Sequence, residues 1–194
     1  MPGNRLNRRK AMQNTPQMLC SGAEMADAVK KLAGDIYRGA AGIPGGFALV
    51  GIHQQGVTLA GKLQQILNQE YNCFPDSGTL DISMYRDDIG NRSQLPVIRE
   101  TRIPFDVNDR TIILIDDVLS TGRTIRAALD AITDFGRPGR IRLAVLVDRD
   151  DAEFPIRADY VGMKLRVPDD HKIKVWFDNA EGREPGIYDI NWPK

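Results

Sequence analysis

The sequence predicts an α/β fold, with a mainly parallel β-sheet flanked by helices on both faces. Short apolar segments typical of buried strands occur at residues 47–51, 111–115 and 141–147. Amphipathic segments with helical spacing alternate with these strands. Because strand and helix alternate along the chain, consecutive strands are expected to run parallel, with each connection packed on one face of the sheet.

The first helix is predicted from a capping box followed by a repeating apolar face. Ser21 precedes Glu24 by three residues, a spacing that lets a hydroxyl and a carboxylate each bond to the other residue's backbone N–H. Behind them, apolar side chains recur at helical spacing, namely Met25, Val29, Leu32 and Ile36. Gly39 and Gly42 are expected to end this helix.

Two further helices and a long polar connection are predicted downstream. The second helix follows the strand at 47–51 and carries the apolar face formed by Val57, Leu59, Ala60, Leu63 and Leu67. A strand is expected at 79–85, and the polar stretch 86–108 that follows is interpreted as a flexible functional loop. The third helix is expected at 123–135, ended by the glycine- and proline-containing stretch 136–139.

Length, charge and composition limit the function classes. The 194 residues suit one domain at 18–194, preceded by a flexible tail at 1–17. The 26 basic and 26 acidic side chains balance, which argues against a chain wrapped in nucleic acid. No apolar run approaches the roughly 20 residues that span a bilayer, so no membrane association is expected. Two cysteines form no disulfide framework, which favours a reducing, cytoplasmic compartment.

The segment at residues 112–124, IILIDDVLSTGRT, carries the chemistry. An apolar strand ends in two carboxylates, Asp116 and Asp117, and a hydroxyl-rich turn then opens a helix. In open α/β sheets ligands bind beyond the carboxyl ends of the strands, and free N–H groups at a helix start suit a phosphate. A paired acid alone would favour a solvated acidic turn followed by an ordinary capped helix. The whole combination favours a site for a phosphorylated sugar, and it lacks the Gly-Lys-Ser/Thr of nucleotide triphosphatases.

This segment resembles the signature with which type I phosphoribosyltransferases bind 5-phosphoribosyl-1-pyrophosphate (PRPP). From about residue 21 to 189 the chain is similar to the pyrimidine-operon regulator family, whose members are also uracil phosphoribosyltransferases. The similarity includes residues 47–52, 80–88, 103–107, 136–138, 143–149 and 155–162.

The resemblance implies a type I phosphoribosyltransferase fold, with a small hood built from both chain ends and including about residues 150–194. The implied reaction converts uracil and PRPP to UMP and pyrophosphate with Mg²⁺. The alternative function is an attenuator that senses UMP and PRPP and binds RNA to regulate pyrimidine gene transcription, with weak or no catalysis. A homodimer or homotetramer is also implied.

The resemblance assigns roles to individual residues. Asp116, Asp117 and Arg86 are the implied catalytic residues, and the two acids hold Mg²⁺ through water. PRPP is bound by the residues of the signature, namely Asp116, Asp117, Val118, Leu119, Ser120, Thr121, Gly122, Arg123 and Thr124. The pyrophosphate loop consists of His53, Gln54, Gln55 and Gly56, and the flexible loop contributes the cations Arg86 and Arg99.

The base is expected to contact Asp148, Arg149 and Val161, although Arg149 also suits a structural ion pair. Serine at position 120 disfavours a 6-oxopurine substrate, because related purine enzymes carry an acid there that assists the base.

Two departures from the family bear on function. Gln54-Gln55 replaces a Thr-Arg pair, which removes a charge-assisted bond of about 1.5–3 kcal/mol. Asp150-Asp151-Ala152 replaces Gly-His-Arg, and Met163 replaces a lysine. Lys30 and Lys31 remain compatible with a basic face. Since phosphate neutralisation supplies much of RNA affinity, we expect attenuator-RNA binding to be lost or altered.

Overall fold

A computed structural model describes residues 16–40, 42–85, 100–179 and 182–191 of the chain. In these residues the elements run in chain order as β1 (Gln17–Ser21), α1 (Gly22–Ala40), β2 (Phe47–Ile52), α2 (Gln55–Tyr71), β3 (Asp76–Leu80), β4 (Thr111–Leu119), α3 (Arg123–Thr133), β5 (Arg140–Asp148), β6 (Tyr160–Lys164), β7 (His171–Trp176) and β8 (Gly186–Asn191). The chain divides into two compact units. The larger one spans Ala28–Leu165, and the smaller one combines the described residues up to Asp27 with those from Arg166 onward.

The larger unit contains a five-stranded sheet in the order β3-β2-β4-β5-β6. All four strand pairs are parallel, which confirms the predicted α/β class. All six residues of β2 are buried, as are the first six of β4. Strands that are apolar on both faces need cover on both sides, and this accounts for their unbroken runs of Val, Ile and Leu.

The helices begin and end close to their predicted limits. Ser21 and Glu24 form the predicted capping box: the Ser21 N–H donates to the Glu24 carboxylate over 2.9 Å, and the Glu24 N–H donates to the Ser21 hydroxyl over 3.3 Å. The second helix starts at Gln55, two residues before the predicted apolar face begins. None of the helices in the described ranges combines the length and apolar character needed to cross a bilayer.

The strand predicted at 79–85 is wrong in its limits. β3 ends at Leu80, because the carboxylate of Asp81 accepts hydrogen bonds from the backbone N–H and the hydroxyl of Ser83, over 2.8 and 2.6 Å. Such a local side-chain bond competes with a sheet ladder and turns the chain. The strand predicted at 111–115 is longer than expected, because β5 stays paired with β4 as far as Leu119.

The smaller unit is a three-stranded antiparallel sheet in the order β1-β8-β7. One strand comes from the start of the described chain and two come from its end, so the sheet joins both chain ends. Residues 150–165 belong with the larger unit. Trp176 and Tyr188 pack edge to face, with ring centroids 4.7 Å apart, and both are buried.

Candidate functional site

The strand order places a topological switch point between β2 and β4. The connection after β2 leads to β3 on one side, whereas the chain after β4 continues to β5 and β6 on the other. Loops that leave neighbouring strands in opposite directions open a crevice at the carboxyl ends of those strands, which is where ligands bind in open α/β sheets. Two loops flank this crevice: residues 53–54 after β2, and residues 120–122 after β4.

The paired acids lie on β4 itself and not in the loop after it. The ladder with β2 ends at Gly51 and Ile115, whereas the ladder with β5 continues through Asp116 to Leu119. Asp116 is 5% exposed, and Asp117 is half-buried. Because the ladder with β5 holds the backbone on both sides of the acids, their positions at the rim of the sheet are fixed.

Removal from water disfavours the charged form of Asp117. Desolvation raises the pKa of its carboxyl above the ordinary value of 3.8, although hydrogen bonds that involve Asp116 and the backbone pull this pKa in the opposite direction. The Asp117 N–H also donates to the Asp116 carboxylate over 3.0 Å. A carboxylate whose charge is disfavoured by its surroundings favours a partner that brings positive charge or hydrogen-bond donors.

The loop after β2 is seated directly on the end of β4. The structure includes His53, Gln54, Gln55 and Gly56, the predicted pyrophosphate loop. The His53 N–H donates to the Leu80 carbonyl over 3.0 Å, and the His53–Gln54 peptide bond is cis. A Cβ on Gly56 would lie 2.4 Å from the Ile115 carbonyl oxygen and 3.2 Å from the Asp116 Cα. Only glycine fits this contact, so the loop lies against the backbone that carries the acids.

The turn after β4 leads straight into α3. Gly122 has a φ of 90° in the left-handed region and is the N-terminal cap of α3. Its carbonyl accepts the Arg126 N–H over 2.9 Å, so the helical hydrogen bonds begin here. Ser120 and Thr121 lie in the turn and Thr124 in the first turn of α3, so three hydroxyl residues lie close to the helix start, where backbone N–H groups and the helix dipole favour an anion.

Residues 149–156 after β5, here called the buttress segment, hold this turn from one side. The Arg149 N–H donates to the Leu119 carbonyl over 3.0 Å, and the N–H groups of Glu153 and Phe154 donate to the Thr121 carbonyl over 3.0 and 3.2 Å. A Cβ on Gly122 would lie 3.3 Å from the Phe154 Cβ. The turn is therefore fixed by main-chain bonds as well as by packing.

Side chains strengthen the same contact. Arg123 pairs with Glu153 over 2.8 Å, and its guanidinium carbon lies 5.4 Å from the centre of the Phe154 ring. Asp151 pairs with Arg149 over 2.9 Å and accepts the Ser120 hydroxyl over 3.2 Å. Two acids of the buttress segment thus reach residues 120–123.

The residues predicted to contact the base lie on the neighbouring strands. Asp148 ends β5 and is paired with Leu119 on one side and Lys164 on the other, while Val161 lies on β6 opposite Val145. Asp148 and Val161 line a cavity of about 700 Å³. Arg149 is 7% exposed and forms the ion pair that its alternative interpretation anticipates.

The chemistry of the two acids fits Mg²⁺ bound together with a substrate. Among the residues that the structure describes, no group of three or more His, Cys, Asp or Glu side chains is arranged to hold a metal. Mg²⁺ keeps several waters and is usually held by one or two carboxylates plus substrate phosphates. Asp116 and Asp117 match that pattern.

Some predicted residues lie outside the described ranges, and one important contact was not predicted. Arg86 and Arg99, the cations of the predicted flexible loop, are outside the described residues. The contact between Asp151 and Ser120 was not predicted, because the two residues are 31 positions apart and no local pattern connects them.

Comparison with known proteins places these features in a family. The sequence matches the phosphoribosyl transferase domain family over residues 17–178. It is 47% identical over 161 residues to the bifunctional protein PyrR of Roseiflexus sp. (strain RS-1), covering 83% of this chain and 87% of the relative. It is 44% identical over 166 residues to the bifunctional protein PyrR of Deinococcus radiodurans, covering 86% and 90% respectively.

Solved structures share the fold at low sequence identity. A hypoxanthine-guanine phosphoribosyltransferase from Bacillus anthracis aligns with a TM-score of 0.68 at 17% identity, covering 90% of this chain and 98% of its own. A hypoxanthine phosphoribosyltransferase from Staphylococcus aureus aligns with a TM-score of 0.65 at 17% identity, covering 92% and 93%. At this identity the likeness supports the fold alone.

Proposed function

The chain belongs to the phosphoribosyl transferase domain family, among proteins similar to the bifunctional PyrR proteins, and we propose that it transfers the phosphoribosyl group of PRPP to uracil. The products would be UMP and pyrophosphate. Uracil is the base implied by the resemblance to the pyrimidine-operon regulators, and the family also suggests a homodimer or homotetramer.

One observation carries the proposal: the acid pair on β4 and the hydroxyl-rich turn before α3 form one continuous structure at the switch point of the sheet. Carboxylates are acceptors that suit a pair of ribose hydroxyls, whereas the turn and the helix start suit the 5-phosphate. The spacing between these two groups is fixed by the strand end, so the site matches a phosphorylated pentose better than an isolated phosphate.

In this reaction uracil N1 would form a bond to the anomeric carbon while the bond from that carbon to pyrophosphate breaks, and the N1 proton would be released to water. Positive charge would develop on the ribose ring. Asp116 and Asp117 would hold the ribose hydroxyls, so that the ring and its developing charge lie beside fixed carboxylates. Residues 120–124 would anchor the phosphate end and fix the position of the ring. When bound through water to the acid pair, Mg²⁺ would neutralise charge on the departing pyrophosphate.

The loop after β2 would bind pyrophosphate mainly through its backbone. Gln54 and Gln55 carry no charge, so they lack the charge-assisted bond that an arginine would make. Gly56 packs against the backbone of Ile115 and Asp116, which brings the start of α2 next to the acid-bearing strand. We therefore expect weakened pyrophosphate binding without loss of the reaction.

A direct assay tests this function. The protein is incubated with uracil, PRPP and Mg²⁺, and UMP is measured by chromatography. The double variant Asp116→Asn, Asp117→Asn should reduce turnover by about a hundredfold or more, because both anionic acceptors are lost. The control Asp130→Asn removes a charge from the exposed face of α3 and should leave turnover unchanged. Full activity in the double variant would contradict the assigned site.

A second function, the binding of attenuator RNA, is suggested by the bifunctional relatives, and we propose that it is weakened in this chain. Lys30 lies 3.8 Å from Glu70 and Lys31 lies 3.1 Å from Asp35, so acids accompany both lysines of the expected basic face. The Lys31 ammonium also donates to the Val161 carbonyl over 2.9 Å. These pairs and the acids at 150–151 reduce the positive potential that RNA requires.

A further inference from the structure

We propose that Asp151 competes with the 5-phosphate of the ligand for the Ser120 hydroxyl and thereby sets the affinity of the site for phosphoribosyl compounds. This inference rests on the proposed function, because it assumes that residues 120–124 bind the phosphate. It assigns Asp151 a positioning role that acts through Ser120 and Arg149.

The contacts of the Asp151 carboxylate define the competition. Its Oδ2 accepts the Ser120 hydroxyl over 3.2 Å and lies 2.9 Å from the Arg149 guanidinium. Its Oδ1 is buried and accepts no hydrogen bond from the residues that the structure describes. An anionic oxygen therefore already uses a donor of the turn that is proposed to hold the phosphate.

Main-chain hydrogen bonds position the Asp151 carboxylate beside the turn. Hydrogen bonds from Arg149 to Leu119, and from Glu153 and Phe154 to Thr121, bracket Asp151 on both sides along the chain. The Arg149 side chain is buried, which holds the ion pair in place. The contact with Ser120 is thus a fixed feature of the fold, unlike a contact between two long side chains on the exposed surface.

Phosphate binding would have to overcome this arrangement. To donate to the phosphate, the Ser120 hydroxyl must break its hydrogen bond to Asp151. The Asp151 carboxylate would then remain close to the phosphate, which is also an anion. Like charges a few ångströms apart repel, and the repulsion is stronger in a partly buried site than in water. Neutralising Asp151 should therefore weaken its hydrogen bond with Ser120, weaken its ion pair with Arg149 and remove its repulsion of the phosphate. All three effects favour phosphate binding.

Binding measurements on three proteins test this inference. Calorimetry with UMP and with ribose 5-phosphate compares the natural chain, Asp151→Asn and Asp150→Asn. The control Asp150→Asn removes the same charge one residue away, at a φ of 58° that asparagine tolerates. Asp151→Asn should bind both ligands about three- to tenfold more tightly, and Asp150→Asn should change affinity less than about twofold.

Kinetics distinguish a positioning role from a structural one. Asp151→Asn should lower the KM for PRPP about as much as it lowers the Kd of ribose 5-phosphate, with a smaller change in kcat. A purely structural role would instead raise the KM for PRPP. A lower melting temperature is expected in either case, because the substitution removes the ion-pair partner of the buried Arg149.

Unchanged or weaker binding by Asp151→Asn, with normal binding by the natural chain, would overturn this inference alone. If the natural chain bound neither ligand, the proposed function and this inference would both fall.

Discussion

Asp117 illustrates how one residue can serve the proposed site at the expense of the fold. Its carboxylate is held on β4 beside Asp116, and desolvation raises its pKa. A carboxylate whose charged form is disfavoured by desolvation lowers the stability of the folded state, and such groups are kept where function needs them. Asp117 is therefore expected to limit stability in the absence of ligand.

Replacing Asp117 by asparagine should stabilise the free protein at neutral pH while turnover is lost. Because the pKa of Asp117 is raised in the folded state, this carboxyl does not lower the free energy of unfolding of the natural chain at pH values below the ordinary pKa of 3.8. The free energy of unfolding falls as the pH rises through the raised pKa. Asp117→Asn removes this loss. Urea unfolding should therefore give the variant a higher midpoint at pH 7, and the difference should shrink as the pH falls toward 3.8.

The exposed acid Asp130 provides the matched control for this measurement. Asp130→Asn changes the net charge equally but relieves no burial, so its unfolding midpoint should follow that of the natural chain at every pH. A lower midpoint for Asp117→Asn at pH 7 would show that the carboxylate supports the fold, and the argument from desolvation would then fail.

At the scale of helices and strands, the local sequence pattern predicted which elements exist better than it predicted where each one ends. The strands and helices around the signature were expected because their apolar periods are clear, and the capping box at Ser21 and Glu24 formed as predicted. The extra length of β4 depends on its ladder with β5, which is a pairing between distant segments. β1 and β8 were not predicted. β1 gains its partner from the opposite end of the chain, whereas β8 pairs with β1 on one side and with β7 on the other.

The contact between α2 and β4 can be tested at one glycine. Gly56→Ala should destabilise the fold by about 1–3 kcal/mol, because the added methyl would lie 2.4 Å from the Ile115 carbonyl oxygen and force the first turn of α2 away from β4. The same shift should move the loop 53–54 and raise the KM for PRPP. Urea unfolding and steady-state kinetics measure the two effects.

Gly61 supplies the control in the same helix. It is exposed in the interior of α2, and a Cβ there would meet nothing within 4 Å. Gly61→Ala should therefore stabilise the protein by about 0.5–1 kcal/mol through helix propensity and leave KM unchanged. Equal effects of the two substitutions would mean that the seating of the loop on β4 does not depend on Gly56.

Across the whole molecule, sequence pattern was enough for the fold class and for the place of the signature segment in the fold, but not for the contacts around that segment. The signature at 112–124 lies at the rim of the sheet, as the strand–turn–helix pattern predicts. Asp150 and Asp151 were interpreted only as acids that break a basic stripe. The fold brings Asp151 to Ser120, a contact that depends on how β5 continues past Asp148.

Charge across the whole molecule leads to the last prediction, which concerns RNA. The chain has no net charge, and acids accompany the lysines at 30 and 31. Without ligand, a hairpin from a pyrimidine-operon leader should bind with a Kd weaker than about 1 μM at physiological salt, in the range of non-specific binding. The variant Asp150→Gly, Asp151→His, Ala152→Arg removes two negative charges and adds one positive charge, so it should bind the hairpin at least about tenfold more tightly and with a steeper salt dependence.

The control Asp169→Asn, Asp170→Lys makes the same charge change at two exposed positions before β7 and should gain much less affinity for the hairpin. Filter binding at several salt concentrations measures all three proteins. Nanomolar, salt-dependent binding by the natural chain would show that the acids at 150–151 do not block RNA, and an equal gain in the control would assign the effect to total charge and not to the face around residues 150–152.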